Sequence, residues 1–436
     1  MNIDVILKGW FILVASYLLA LSALQIAIGV LSVGSLLARS RIRRAPNRGS
    51  GPDVAVVILA HNEELTLVGT LDSLLEQTIQ PHSIIVIDDG STDQTGSQAR
   101  RRLADSGSVK SRVLTTRRQG KHMAQELGIS QVECELTCIA DADVEIDPNA
   151  LGHLSQRLLD QQATAVSAWV WPATQKLRPG FVGSLLLLCQ VIEYARAILW
   201  RPGWEALGGL AIVEGRFGLF RTTALRSLHG AKVKQSAVDY NLTLELYRSA
   251  HCAGLPCRIC VEPRATVWTD VPLTMRDFFA QRMRHARGFL KAFVNNRDMI
   301  FRRSFGTLGM LELPVRIFTS VWSIVELSLW LSCVLLAVLR HPWARLGWSL
   351  LASYLAFVIF QLYLSLALGR LFTVYRWRGG FNLLLWSVVP LAAAIWEPIK
   401  GLTRLVGWSR LSLDRQPWEP RRSVPKTENA MRRSEL

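Results

Sequence analysis

Acidic side chains gather at a few short places in this chain. Leu136–Val144 reads Leu-Thr-Cys-Ile-Ala-Asp-Ala-Asp-Val, an apolar run that stops at Asp141 and Asp143. One residue separates the two acids, so an extended chain sends both side chains to the same face. Oxygen ligands paired in this way can hold Mg2+ or Mn2+, with substrate phosphates completing the shell. The plainer reading of Asp-x-Asp is a solvated turn after a strand. Further polar groups stand in the same kind of place: Glu63 and Glu64 after one apolar run, Asp88 and Asp89 after another, and Lys121 beside Gly120.

The elements that must position them follow from periodicity. Pro52–Ala60 is a continuous apolar strand of the kind found in a sheet covered on both faces. Leu67, Leu71, Leu74 and Leu75 recur at helical spacing within Leu65–Gln77. Ser83–Asp89 is a second strand, after which Ser91 or Thr92 is placed to cap a helix. Arg112–Thr115 is a weaker third strand, Gly120–Ala124 opens another helix, and the run to Asp141 is the fourth strand. Alternating strand and helix predicts a doubly wound α/β domain. Ligands bind such sheets beyond the carboxyl ends of the strands, where the polar groups named above collect. No G-x-G-x-x-G follows the first strand, and no G-x-x-x-x-G-K-[ST] occurs. What remains is a nucleotide held by carboxylates, a lysine and a metal.

Half of the 436 residues are hydrophobic and 19% are charged. Gly9–Ala38 carries no formal charge, and ~20 apolar residues span a bilayer. The run is too long, and its amino end too acidic, for a cleaved leader, so it reads as a retained anchor. Arg39, Arg41, Arg43, Arg44 and Arg48 then place this flank, and the polar middle of the chain, in the cytoplasm. Three later apolar runs are Ile317–Leu339, which contains Glu326, Leu346–Leu368, and Phe381–Ile399. An acid at that depth faces other protein or a water-filled path. Three full crossings would leave the strongly basic tail outside, against the charge rule. Phe381–Ile399, with Pro390 and Glu397, is the run to read as re-entrant or interfacial. The net charge of +16 fits arginines flanking spans at a membrane surface, not nucleic acid. His251, Cys252, Cys257 and Cys260 form the one thiol cluster and read as buried thiols rather than a zinc site.

Ala60-His-Asn-Glu-Glu, Val86-Ile-Asp-Asp-Gly-Ser-Thr-Asp93, Gly120-Lys-x-x-Ala124 and Asp141-Ala-Asp143 resemble, in order, the motifs of family 2 glycosyltransferases with the GT-A fold. Glu214–Arg221, Ala237–Leu244, Pro263–Pro272 and Gln281-Arg-Met-Arg-His-Ala-Arg-Gly288 extend the resemblance. It covers about Pro52 to Phe293 and is closest to the membrane-embedded cellulose, chitin, hyaluronan and poly-N-acetylglucosamine synthases.

The resemblance implies an inverting transfer of a hexose or N-acetylhexosamine from a UDP-sugar to a growing polysaccharide, with export. Ala60, Glu64, Asp88, Asp89, Lys121, Asp141 and His285 would contact the UDP-sugar, with Asp143 and Asp141 on Mg2+ or Mn2+. Asp239 would take the acceptor proton, Arg284 would support the departing diphosphate, and Gln281 would help to wall the site. Val238 stands where the family often has Glu, and His285 where the synthases have Trp. The plainer readings are a helix cap for Asp239, a solvated helix residue for Lys121 and lipid contact for Arg284. Phe181–Trp200 would be a further span or, by resemblance, a helix lying on the bilayer, as would Phe278–Phe293. The expected division is an anchor and basic flank (1–51), a cytoplasmic GT-A domain (52–303), a transmembrane region (304–410) and a disordered basic tail (411–436). The expected setting is a multi-pass protein of the cell membrane, with a glycan or lipid-linked acceptor. The rival functions are transfer of a single sugar to a membrane acceptor, and a non-catalytic partner on the same fold.

Overall fold

The computed structural model describes residues 3–40, 52–104, 107, 109–173, 180–228, 238–373 and 379–410. The basic flank 41–51, the segment before Val238, residues 374–378 and the tail 411–436 lie outside the described residues. In chain order the helices are α1 (Ile3–Ser40), α2 (Leu67–Leu75), α3 (Thr95–Ala104), α4 (Lys121–Ser130), α5 (Ala150–Asp160), α6 (Phe181–Arg196), α7 (Arg201–Ala206), α8 (Thr222–Arg226), α9 (Val238–Cys252), α10 (Met275–Asn295), α11 (Leu313–Val338), α12 (Trp343–Phe372), α13 (Gly379–Leu391) and α14 (Glu397–Ser409).

The strands are β1 (Val54–Ala60), β2 (Ser83–Asp89), β3 (Lys110–Thr116), β4 (Leu136–Asp141), β5 (Val144–Ile146), β6 (Ala165–Pro172), β7 (Phe217–Arg221) and β8 (Ile259–Thr269). They form one sheet in the order β3-β2-β1-β4-β7-β6-β8-β5. β1 to β4 run parallel, as alternating strand and helix require, but β7 pairs antiparallel with β4 and β6. The sheet is therefore mixed rather than doubly wound throughout. The reversal brings the chain before β7 to the carboxyl end of β4, where Asp141 N donates to the Arg216 carbonyl at 3.2 Å.

Every residue of β1 is buried because both faces of the sheet are covered. Val54, Val56, Ile58 and Ala60 join one core with α2, α3 and α5, while Ala55, Val57 and Leu59 join the other. The second core runs on without a break into the long apolar helices. α4 lies so close on it that a Cβ at Gly128 would come 2.3 Å from Val57 Cγ1.

Five helical stretches have the length and apolarity to cross a membrane: residues 4–40, 181–206, 308–338, 343–372 and 383–409. Their packing separates them. α1 has one end at the sheet domain, where Arg39 pairs with Glu205 at 2.7 Å and Ser32 Oγ donates to the Leu199 carbonyl at 3.0 Å. Its other end meets the α11–α12 turn, where Trp343 Nε1 donates to Asp4 at 3.0 Å. α11 leaves the domain and α12 returns to it, so that Gly369 abuts Trp171. α6 is instead largely covered, with Leu186–Ile192 buried between the sheet and the returning helices.

Residues 379–409 begin beside the returning end of α12 and finish against α10, where Trp408 Nε1 donates to the Ala286 carbonyl at 3.2 Å. Both ends of this segment lie toward the sheet domain. Pro390 inside α13 has no N–H to offer the Trp386 carbonyl. Tyr363 Oη donates to that carbonyl instead, at 3.2 Å, and its ring stacks on Trp386. Glu326 is fully buried and accepts from Tyr354 Oη at 3.3 Å, so it faces protein. Cys260 is buried, but Cys252 is exposed, against the expectation for that cluster.

Gly128→Ile sets helix propensity against packing. The gain of about 0.5–1 kcal/mol over glycine is smaller than the 1–3 kcal/mol that overpacking costs. The thermal unfolding midpoint in detergent should fall by several degrees, and an unchanged midpoint would show that α4 does not lie tight on β1.

Candidate active site

Two loops form the rim at the carboxyl ends of β1 and β2. Asn62 follows β1 with φ of 55°, a left-handed conformation that asparagine tolerates better than most residues. Its main-chain N–H donates to Ser91 Oγ at 2.9 Å, and its side-chain oxygen accepts from Thr92 N at 2.8 Å. Ser91 and Thr92 therefore tie the loops together, and the cap of α3 is Asp93, which accepts from Thr95 N at 2.9 Å. Glu64 accepts from Gln94 N at 3.1 Å and closes the same zipper. Ala60 ends β1, buried, one residue before His61, whose Nδ1 donates to the Asp89 carbonyl at 2.8 Å.

Asp88 and Asp89 are both buried and both turned to backbone amides. Asp88 accepts from Ser91 N at 3.0 Å, and Gly96 is bare where a Cβ would stand 2.5 Å from Asp88 Oδ2. Asp89 accepts from Gln119 N at 2.7 Å and Gly120 N at 2.9 Å, so it fixes the entry to α4. That fixes Lys121, the first residue of α4.

Lys121 Nζ reaches Asp141 Oδ1 at 2.9 Å and Asp239 Oδ1 at 3.3 Å. The three residues come from α4, the end of β4 and the first turn of α9, and are 118 residues apart at their widest, from Lys121 to Asp239. Gly215 makes room for Asp239: a Cβ there would lie 2.0 Å from its Oδ1. Burial raises the Asp141 carboxyl above its ordinary value, as do the charges of Asp143 and Asp239, while Lys121 opposes the rise. Burial works against the Lys121 charge too, but Asp141 and Asp239 outweigh it and hold the ammonium protonated.

A second charged layer lies behind. Arg216 feels both Asp141 and Asp143 and is raised by Tyr194, Glu214 and these acids against the cost of burial. Burial opposes the Glu214 charge, but Arg201 and Arg216 draw its carboxyl down to about 2. His285 contributes to that pull, which puts the Gln281–His285 turn of α10 within electrostatic reach of Glu214. Gln281 is buried, whereas Arg284 and His285 lie on the exposed side of the helix. Sequence reasoning assigned no role to Arg216, Gly215 or Arg201. Glu214-Gly-Arg216 was visible as a motif, but nothing in its spacing pointed to Asp141.

Among the described residues no cluster of three metal-ligating side chains occurs. The donor set of Asp141 and Asp143 nevertheless suits Mg2+ or Mn2+, which take one or two carboxylates and fill their shell with phosphate and water. Lys121 already supplies a cation at Asp141.

The model of the family "Glycosyl transferase family 2" matches residues 55–201. A poly-beta-1,6-N-acetyl-D-glucosamine synthase of Staphylococcus aureus is 27% identical over 287 residues, 65% of this chain and 63% of that protein. The corresponding synthase of Staphylococcus epidermidis is 28% identical over 236 residues, 54% of each chain. This chain thus spans less than two thirds of the length of these relatives. A mannosyltransferase from Pyrobaculum calidifontis, solved with GDP-mannose and Mn2+, shares the fold with a TM-score of 0.54 and 18% identity, over 92% of this chain and 99% of its own.

Lys121→Met should leave the Asp141 charge uncompensated in a partly buried place. Its carboxyl then titrates higher still in the folded state, so the lost stability is greatest at neutral pH. The loss shrinks as pH falls toward the ordinary carboxylate range near ~4, where both states bind the proton. Unfolding midpoints of both proteins between pH 4 and 8 test this. A deficit that does not change with pH would show that the ion pair is not what Lys121 provides.

Proposed function

From a chain whose residues 55–201 match the glycosyl transferase family 2 model, whose fold is shared with a solved glycosyltransferase and whose long apolar helices suit a membrane, we propose an inverting transfer of a hexose or N-acetylhexosamine from a UDP-sugar to a growing glycan. The convergence of Lys121, Asp141 and Asp239 carries this reading. It joins the groups suited to a sugar diphosphate with a carboxylate suited to a hydroxyl proton. Asp239 is 36% exposed, open enough to meet an acceptor.

The acceptor oxygen attacks the anomeric carbon on the face away from the nucleotide. The new C–O bond forms as the bond to the diphosphate breaks, the electron pair leaves with UDP, and the hydroxyl proton passes to Asp239. General-base help of this kind is worth about 10²–10⁴-fold. Lys121 pairs with both acids at rest, and an incoming diphosphate competes for its ammonium, which frees Asp239 for the acceptor. Mg2+ or Mn2+ at Asp141 and Asp143, when bound, neutralises charge on the diphosphate. Arg284 supports the leaving group, and Gln281 and His285 border the acceptor side. Asp88, Asp89, Ala60 and Glu64 shape the nucleotide end, the first two by bracing its loops. Residues 52–303 would form the catalytic part, with α1, α11 and α12 crossing the membrane, and the arginine-rich flank after α1 supports a cytoplasmic side for it. The relatives named as polysaccharide synthases support a glycan product.

Detergent-purified protein given a panel of UDP-sugars with Mg2+ or Mn2+ should release UDP with one of them. Release from GDP-mannose alone would refute the donor class. Asp239→Asn should lower release by at least about 10²-fold while UDP binding by calorimetry is kept, and full activity in that variant would refute the base. A ladder of products on a gel identifies a growing glycan, and one discrete band a single transfer.

A further inference from the structure

Asp141 has a cation on each side. Lys121 reaches it from α4 at 2.9 Å. Arg216 stands opposite it in the sheet. β4 and β7 are antiparallel with Ala140 against Phe217, and the next pair outward is joined by the bond from Asp141 N to the Arg216 carbonyl. Residues directly opposite in an antiparallel pair send their side chains to the same face, with Cβ atoms about 5 Å apart. On that face Leu59, the β1 neighbour of Asp141, joins the core shared with α4 and α6. The Arg216 guanidinium is within electrostatic reach of both Asp141 and Asp143.

Its place is fixed by several contacts. Glu214 accepts from Arg216 Nη1 at 3.3 Å and also from Arg201. The Tyr194 ring lies 5.9 Å from the Arg216 guanidinium, and the Trp169 ring 5.7 Å from that of Arg201. The main chain is pinned too: Val213 N donates to Thr243 Oγ1 and Glu214 N to Ser167 Oγ, each at 3.0 Å. Only 17% of either arginine side chain is exposed, so water does little to screen the charges.

Two carboxylates are few ligands for Mg2+ or Mn2+, which bind through one or two such groups when substrate phosphates complete the shell. Fixed cations beside those carboxylates repel a dication further. A diphosphate reverses the balance, because its oxygens are partners for the metal ion, the ammonium and the guanidinium alike.

We propose that Arg216 sets this balance: it keeps the affinity of the Asp141–Asp143 pair for a divalent cation low in the absence of nucleotide, so that the ion is taken up together with the diphosphate. Arg216 is thus a positioning residue that acts through the two carboxylates. Its role rests on the proposed sugar transfer in one respect, that Asp141 and Asp143 are the ligands of the ion.

Mn2+ bound to the full-length protein in detergent is counted by equilibrium dialysis, with and without UDP. The unsubstituted protein should bind Mn2+ at least about tenfold more tightly with UDP than without. Arg216→Gln should raise the nucleotide-free affinity about tenfold, the order expected when one unit charge is removed within several ångströms of a dication, and should shrink the gain from UDP. Arg216→Lys keeps the charge and should match the unsubstituted protein, which separates lost charge from lost packing. An unchanged nucleotide-free affinity in folded Arg216→Gln would overturn the role of Arg216. Binding by the unsubstituted protein that is equally tight with and without UDP would do the same, and needs no variant. Asp143→Asn should abolish Mn2+ uptake under both conditions. Uptake that survives that change overturns the ligand assignment of the catalytic reading, a failure distinct from that of Arg216.

Discussion

The ammonium of Lys121 between Asp141 and Asp239 is the contact on which the site depends. Three charges taken partly out of water are tolerable only in one another's company, because an unpaired buried charge is far more costly than a paired one. The ion pairs therefore do more than decorate a cleft. They fasten the parallel half of the sheet, which ends in Asp141, to α9, which follows the antiparallel return through β7. Asp89 prepares the contact by holding the backbone at Gln119 and Gly120, and Gly215 permits it by lacking a side chain.

The same sheet is also the anchor for the long helices. Alternate residues of β1 point into two cores, and one of these continues into α1, α11 and α12. Chemistry at the sheet edge and the apolar bundle are thus parts of one packed body. α10 stands between them: Arg282 pairs with Glu193 on one side, while His285 acts on Glu214 on the other. Trp396 Nε1 also donates to Glu193, at 3.2 Å, so the segment after α12 is tied to the same carboxylate. A helix held this way links the sheet domain to the apolar bundle without being part of the sheet.

Much of this was legible in the residues. The apolar runs at Val54–Ala60, Ser83–Asp89 and Leu136–Asp141 are strands because a strand covered on both faces is apolar throughout. The long uncharged stretch of α1 announces itself by length alone. The antiparallel β7 was not legible, since a short apolar run carries no sign of its direction. The cap of α3 fell to Asp93 because Ser91 and Thr92 were engaged by Asn62, a partner 29 to 30 residues away.

What the chain determined by itself is therefore local: which stretches are strand, helix or apolar span, and which side chains end them. That follows from periodicities of two and 3.6 residues and from charge, all short-range properties. Tertiary structure alone decided which of these ends meet. The approach of Lys121 to Asp239, the place of Arg216 behind Asp141, and the turn of residues 379–409 back toward the sheet domain all join residues far apart in sequence. Such meetings are set by how whole elements pack, and no spacing along the chain encodes them.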